Sequence, residues 1–134
     1  MKEIERMLKL LSDTTRLRTI MLLSRRELCV CQIMGVLGIS QPLVSRNLNL
    51  MAAAGFLDER KEGKLVFYSL SRNIPPDAAK IISLLKEALK NDRIVEDDLK
   101  SLMDCEEFQK KTGKCDMKTF KDFMAKKRNI SPKK

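Results

Sequence analysis

The sequence predicts a mainly α-helical fold with one small β-hairpin. Three observations predict it. Apolar residues recur at three- and four-residue spacing from Ile4 to Met51, the period of helices with one buried face. Ser40-Gln41-Pro42 opens a helix with one apolar and one polar side. Two runs rich in Phe, Val, Tyr and Leu then flank a charged, glycine-containing tip, the pattern of a hairpin. Helix–turn–helix followed by such a hairpin is the winged-helix plan.

Ile4, Met7, Leu8 and Leu11 mark an amphipathic opening helix. Ser12-Asp13 offers N-caps for the next, Thr14 to about Ser24, which buries Leu17, Ile20, Met21 and Leu23. A third short helix runs from about Leu28 to Leu37, ended by a turn at Gly38. Ser40 caps the fourth, with Pro42 in a first turn where a missing N–H costs nothing. Its Val44, Leu48 and Met51 point inward, and Gly55 closes it in the left-handed conformation. Phe56–Arg60 and Leu65–Leu70 read as strands joined across Lys61-Glu62-Gly63-Lys64. After Pro75-Pro76-Asp77, the stripe Ala78, Ile81, Ile82, Leu85, Ala88 and Leu89 outruns the need of one small core and suits a homodimer seam as well as packing within its own domain. Residues 1–92 are expected to form the winged-helix and dimerisation domain, and 93–134 a helical extension (94–110 and 116–127) with a basic tail.

The chain has 134 residues, 4% of them aromatic and none Trp, so aliphatic residues and Met must fill one small core. The formal charge of +9 points to a polyanion, with nucleic acid ahead of an anionic membrane surface. No apolar stretch approaches the ~20 residues of a membrane span, and the start is too charged for a signal peptide. A cytoplasmic place is expected, where cysteines stay reduced and metal or redox chemistry outranks a structural disulfide. Histidine is absent, which removes His-dependent catalytic dyads and triads and every His-containing zinc site.

The polar side of the fourth helix carries the DNA-reading residues. Gln41 suits adenine, Arg46 guanine or a phosphate, and Ser45 and Asn49 either base or backbone, with Ser40 at the helix start. Arg60, Lys61 and Lys64 at the hairpin tip are placed for phosphates or the minor groove.

Four stretches in this order resemble the ArsR (ArsR/SmtB) family of dimeric winged-helix metalloregulators. They are Leu11-Ser12-Asp13-Thr14-Thr15-Arg16-Leu17-Arg18, Glu27-Leu28-Cys29-Val30-Cys31, Ser40-Gln41-Pro42-Leu43-Val44-Ser45-Arg46 and Gly63-Lys64-Leu65-Val66-Phe67-Tyr68. The resemblance covers roughly Leu10 to Leu70. It implies a homodimer that represses its own operon on double-stranded operator DNA and leaves when its inducer binds. Glu-Leu-Cys-Val-Cys resembles the inducer site of arsenite and antimonite sensors, so As(III) or Sb(III) is the implied ligand of Cys29 and Cys31, with no organic cofactor and no membrane partner.

Trivalent arsenic and antimony are soft centres that prefer thiolates. In a regular helix, side chains two apart point roughly 200° from each other, so a shared ion would unwind the first turn of the third helix and disturb the recognition helix behind it. Met34 stands where some relatives carry a third cysteine. Cys105 and Cys115 are additional candidate ligands; a second ion site, a ligand donated across the dimer and plain structural thiols all remain open for them. The His-containing sites of other family members are excluded, and Asp77, Glu87 and Asp92 read as solvated charges. A cysteine-based redox or persulfide-sensing repressor is the alternative function. An enzyme is not expected, because neither Cys-x-x-Cys nor a phosphate cradle is present.

Overall fold

The computed structural model describes residues 1–112. Cys115, the helix expected over 116–127 and the basic tail lie outside the described residues. Within them the order is α1 (Lys2–Leu11), α2 (Thr14–Leu23), β1 (Leu28–Cys29), α3 (Val30–Leu37), α4 (Gln41–Ala53), β2 (Leu57–Glu62), β3 (Leu65–Leu70), α5 (Pro76–Ala88) and α6 (Arg93–Thr112). No helix of the described residues is long and apolar enough to cross a membrane.

Local chemistry explains most of the boundaries. Glu3 and Glu5 in the first turn of α1 and Lys9 in its last both oppose the helix dipole. Met7 and Leu11 of α1 are buried, whereas Leu8, expected on the same face, is exposed. Asp13 caps α2, its carboxylate accepting the Arg16 N–H at 3.0 Å and the Thr15 hydroxyl at 2.6 Å. The Arg16 guanidinium donates back to the Leu10 carbonyl, bracing the corner between the first two helices. Gly38, at φ +67°, ends α3 in the left-handed region that only glycine enters cheaply. Gly55, at φ +84°, follows the C-cap of α4 in the same way.

The third helix begins later than the sequence suggests. Leu28 and Cys29 are not its first residues but a strand, paired antiparallel with Tyr68 and Phe67. The sheet therefore has three strands in the order β1-β3-β2. The hairpin is also longer and its tip tighter than expected. Lys61 and Glu62 belong to β2, and Glu62 pairs with Leu65, leaving only Gly63-Lys64 as the turn. Gly63 sits at φ +60°, and among the described residues no non-glycine has positive φ, which fits the two-residue hairpin turn with glycine first.

Leu22, Ile20, Leu28, Ile33, Leu48, Met51 and Phe56 form the centre of the core between the helices and the inner face of the sheet. On α5 only Ala78 and Ile82 are buried; Ile81, Leu85 and Leu89 are half-buried, and Ala88 is exposed. Asp92 is no idle charge: its carboxylate accepts the Ile94 N–H at 2.9 Å and the Val95 N–H at 3.3 Å, capping α6. That helix returns across the molecule and packs on α2 and α3.

Candidate functional site

The polar residues of α4 stand where the sequence puts them. Ser40 is the N-cap, its hydroxyl accepting the Leu43 N–H at 3.4 Å. Gln41, Arg46 and Asn49 are exposed, Ser45 is half-buried, and Val44, Leu48 and Met51 are buried on the opposite side. One residue between these faces was missed. Asn47 is buried; its amide donates to the Thr15 hydroxyl oxygen at 3.0 Å, and its carbonyl oxygen accepts from Arg16 at 3.4 Å. Through Thr15 the chain continues to Asp13, so the exposed helix is keyed to the start of α2 by polar groups as well as by packing. The signal was available: position 47 lies three after Val44 and four before Met51, on the inward stripe.

At the hairpin, Lys61 and Lys64 are exposed. Arg60 is exposed too, but its guanidinium is engaged. It makes bonds of 2.7 and 3.1 Å to the Glu27 carboxylate and 2.7 Å to Glu62, and lies 4.7 Å from the centroid of the Phe67 ring. Arg60, foremost through its hydrogen bonds, holds the Glu27 carboxyl below its usual range, and Glu27 and Glu62 push the Arg60 guanidinium upward. Glu27 immediately precedes β1, so this cluster ties the hairpin to the strand that carries Cys29.

Cys29 and Cys31 lie on either side of that strand–helix junction. Cys29 ends β1 and caps α3 with an extended backbone at φ −91° and ψ 168°, while Cys31 is inside the first turn. The expected geometry is thereby corrected. The two side chains do not both issue from a regular helix, so the roughly 200° separation of a helical pair does not apply to them. Both are nearly closed off from solvent, at 1% and 6% exposure. Gln32 completes a capping box, its side-chain oxygen accepting the Cys29 N–H at 3.0 Å while the Cys29 sulfur faces the Gln32 N–H.

Cys105 is wholly buried on α6. Among the described residues no group of three or more Cys, Asp or Glu side chains is gathered to hold an ion. The junction thus offers a pair of soft donors, set between α4 and the hairpin. The helix α3 that it opens packs against α4, and the strand that it closes is hydrogen-bonded to β3.

The chain matches the family model described as "Bacterial regulatory protein, arsR family" over residues 13–59. It is 52% identical over 75 residues to the arsenical resistance operon repressor of Escherichia coli strain K12, across 55% of this chain and 64% of that protein. It therefore spans less than two thirds of that relative. With the arsenical resistance operon repressor of Staphylococcus aureus it shares 32% identity over 100 residues, 75% of this chain and 94% of the relative. The fold is similar to that of the homodimeric winged helix-turn-helix DNA-binding domain Mb0332 from Mycobacterium bovis, with a TM-score of 0.56 and 24% identity, covering 69% of this chain and 82% of that one. A winged helix with this hairpin and this succession of helices, matched along nearly the whole of one repressor, places the chain in the arsR family of bacterial regulatory proteins.

Proposed function

We propose that this protein is a metalloid-responsive transcriptional repressor, which binds operator DNA as a homodimer and dissociates when As(III) or Sb(III) binds the thiolates of Cys29 and Cys31. The observation that carries the reading is the junction itself. One cysteine closes a strand of the wing sheet and the other lies in the first turn of a helix that packs against α4. The arsenical resistance repressors among its relatives agree with it.

The donor set fits a soft trivalent ion. Two sulfurs separated only by Val30 suit it better than the oxygen-rich shells of hard cations. Water, hydroxide or a small thiol would complete the set, and Cys105 or Cys115 remains a candidate third donor. Cysteines in the cytoplasm, the expected compartment, stay reduced and available for such an ion.

Binding requires the two sulfurs to turn toward one centre. Cys29 then pulls on its pairing with Phe67, and Cys31 on the first turn of α3. Gln41, Ser45, Arg46 and Asn49 read bases and backbone from α4 with Ser40 at its start, and Lys61 and Lys64 meet phosphates. Arg60 mainly braces the wing. An ion that prefers the turned junction must weaken DNA affinity by the factor by which DNA weakens the ion.

The test is fluorescence anisotropy of the reduced protein on DNA from upstream of its own gene, titrated with arsenite. Release of the DNA is expected. Tight binding that arsenite leaves unchanged, but that mild oxidant abolishes, would replace the metalloid with a redox signal.

A further inference from the structure

Beside the thiol pair lies a polar contact, buried at Gln32 and half-buried at Gln109, that the mechanism above does not use. Gln32 is 4% exposed, and both ends of its amide are occupied. Its oxygen accepts the Cys29 N–H at 3.0 Å, and its nitrogen donates to the side-chain oxygen of Gln109 at 3.2 Å. A buried amide stripped of a partner loses its solvation without recompense, so Gln32 keeps this orientation while Gln109 stays in place.

Gln109 stays in place because of the way α6 is docked. Asp98, Leu102, Cys105 and Gln109 recur at four, three and four residues, a single stripe along the helix. Leu102 and Cys105 are buried in the middle of it. At one end Asp98 takes two bonds from the Arg18 guanidinium of α2, at 2.9 and 2.7 Å. At the other end Gln109 meets Gln32, and Glu106 pairs with Arg26 beside it. The stripe is thus pinned to α2 by a charge pair and to the N-cap of α3 by an amide.

We propose that α6 sets the concentration of inducer the repressor responds to, with Gln32 as the positioning residue that carries its restraint to Cys29. The inference rests on the thiol pair being the inducer site. Turning Cys29 toward Cys31 changes the direction of the Cys29 N–H that Gln32 holds. While Gln109 fixes Gln32, that turn breaks a buried hydrogen bond. With α6 released, Gln32 follows Cys29 and the turn costs less. The helix added after the winged helix therefore acts as a brake on induction and leaves the DNA-reading face alone.

The experiment uses the full chain with Gln109→Leu and Gln109→Glu, the latter keeping an oxygen that accepts the Gln32 amide. Two readouts are taken: the arsenite concentration that releases half of the bound DNA, and the rate at which iodoacetamide labels Cys29 and Cys31, located by peptide mass spectrometry. Gln109→Leu is expected to lower the arsenite midpoint roughly fivefold, the worth of about one net hydrogen bond, and to speed labelling comparably. Its DNA affinity without arsenite stays within about twofold, and Gln109→Glu behaves as the parent. An arsenite midpoint that is unchanged or raised in a folded Gln109→Leu protein overturns the proposal, as does an equal shift in both variants. Should arsenite fail to release DNA even from the parent protein, the inducer assignment falls, and labelling rates alone decide the relay: faster labelling in Gln109→Leu sustains it, equal labelling overturns it.

Discussion

Cys29 belongs to two elements at once, and its dual place is what the sequence concealed. Leu28 through Leu37 satisfies a helical pattern, and nothing local distinguishes Leu28-Cys29 as a strand. The pairing that makes it one comes from Phe67 and Tyr68, far along the chain. The thiols themselves were legible, as were Gln41, Arg46 and Asn49, because their exposure follows from the helical period. Arg60 was legible only as a positive charge; its pairing with Glu27 depends on the unforeseen strand β1, and that with Glu62 on the unforeseen length of β2. Two predictions belong at this scale. Cys29→Ser and Cys31→Ser should each bind operator as the parent does but stay bound in arsenite, by anisotropy; normal release would sink the thiol assignment. Lys64→Ala should reduce the slope of log affinity against log salt by about 1, the mark of one lost phosphate contact. Arg60→Ala should change that slope less, since its charge already faces two carboxylates.

Caps and turns set the elements, and here the sequence was informative wherever the signal was local. Asp13, Ser40, Gly38 and Gly55 act as their chemistry suggests, whereas Asp92 was overlooked as a cap because α6 has a weak apolar pattern. The hydroxyl of Thr15, and after it the Arg16 N–H, hold the Asp13 carboxyl below its ordinary value of 3.8. A carboxyl whose pKa is depressed by folding stabilises the fold above its unfolded value, and that contribution disappears as pH falls through the folded one. The cap of α2 should therefore weaken only below about pH 3.8. In urea titrations across that range, Asp13→Asn should remove part of the acid loss while leaving stability at neutral pH within about 1 kcal/mol, since both residues cap helices well. An unchanged acid limb in the variant would contradict the assignment.

At the scale of the whole molecule, the charge of +9 and the exposed polar face of α4 are consistent with one DNA-facing side. The helical stripe that suited either a homodimer seam or packing within its own domain is divided in the structure: Ala78 and Ile82 serve the chain's own core, while Leu84 on the same helix, outside the stripe, is 68% exposed. On α1, Leu8 is 55% exposed. Replacing Leu84 with Glu should shift the protein toward monomer in analytical ultracentrifugation and weaken operator binding, with Leu84→Met behaving as the parent. A dimer unaffected by Leu84→Glu would move the seam elsewhere.

The brevity of β1 also gives the molecule a sense of time. A strand of two residues, Leu28 and Cys29, is held to its neighbour by few backbone bonds, and burial of both side chains does the rest. Pairing on the scale of a hairpin re-forms in about 1–10 μs. On the proposed function, a junction that re-forms this fast would keep no memory of past exposure, and the return to silence would be timed by the departure of the ion and the search for the operator.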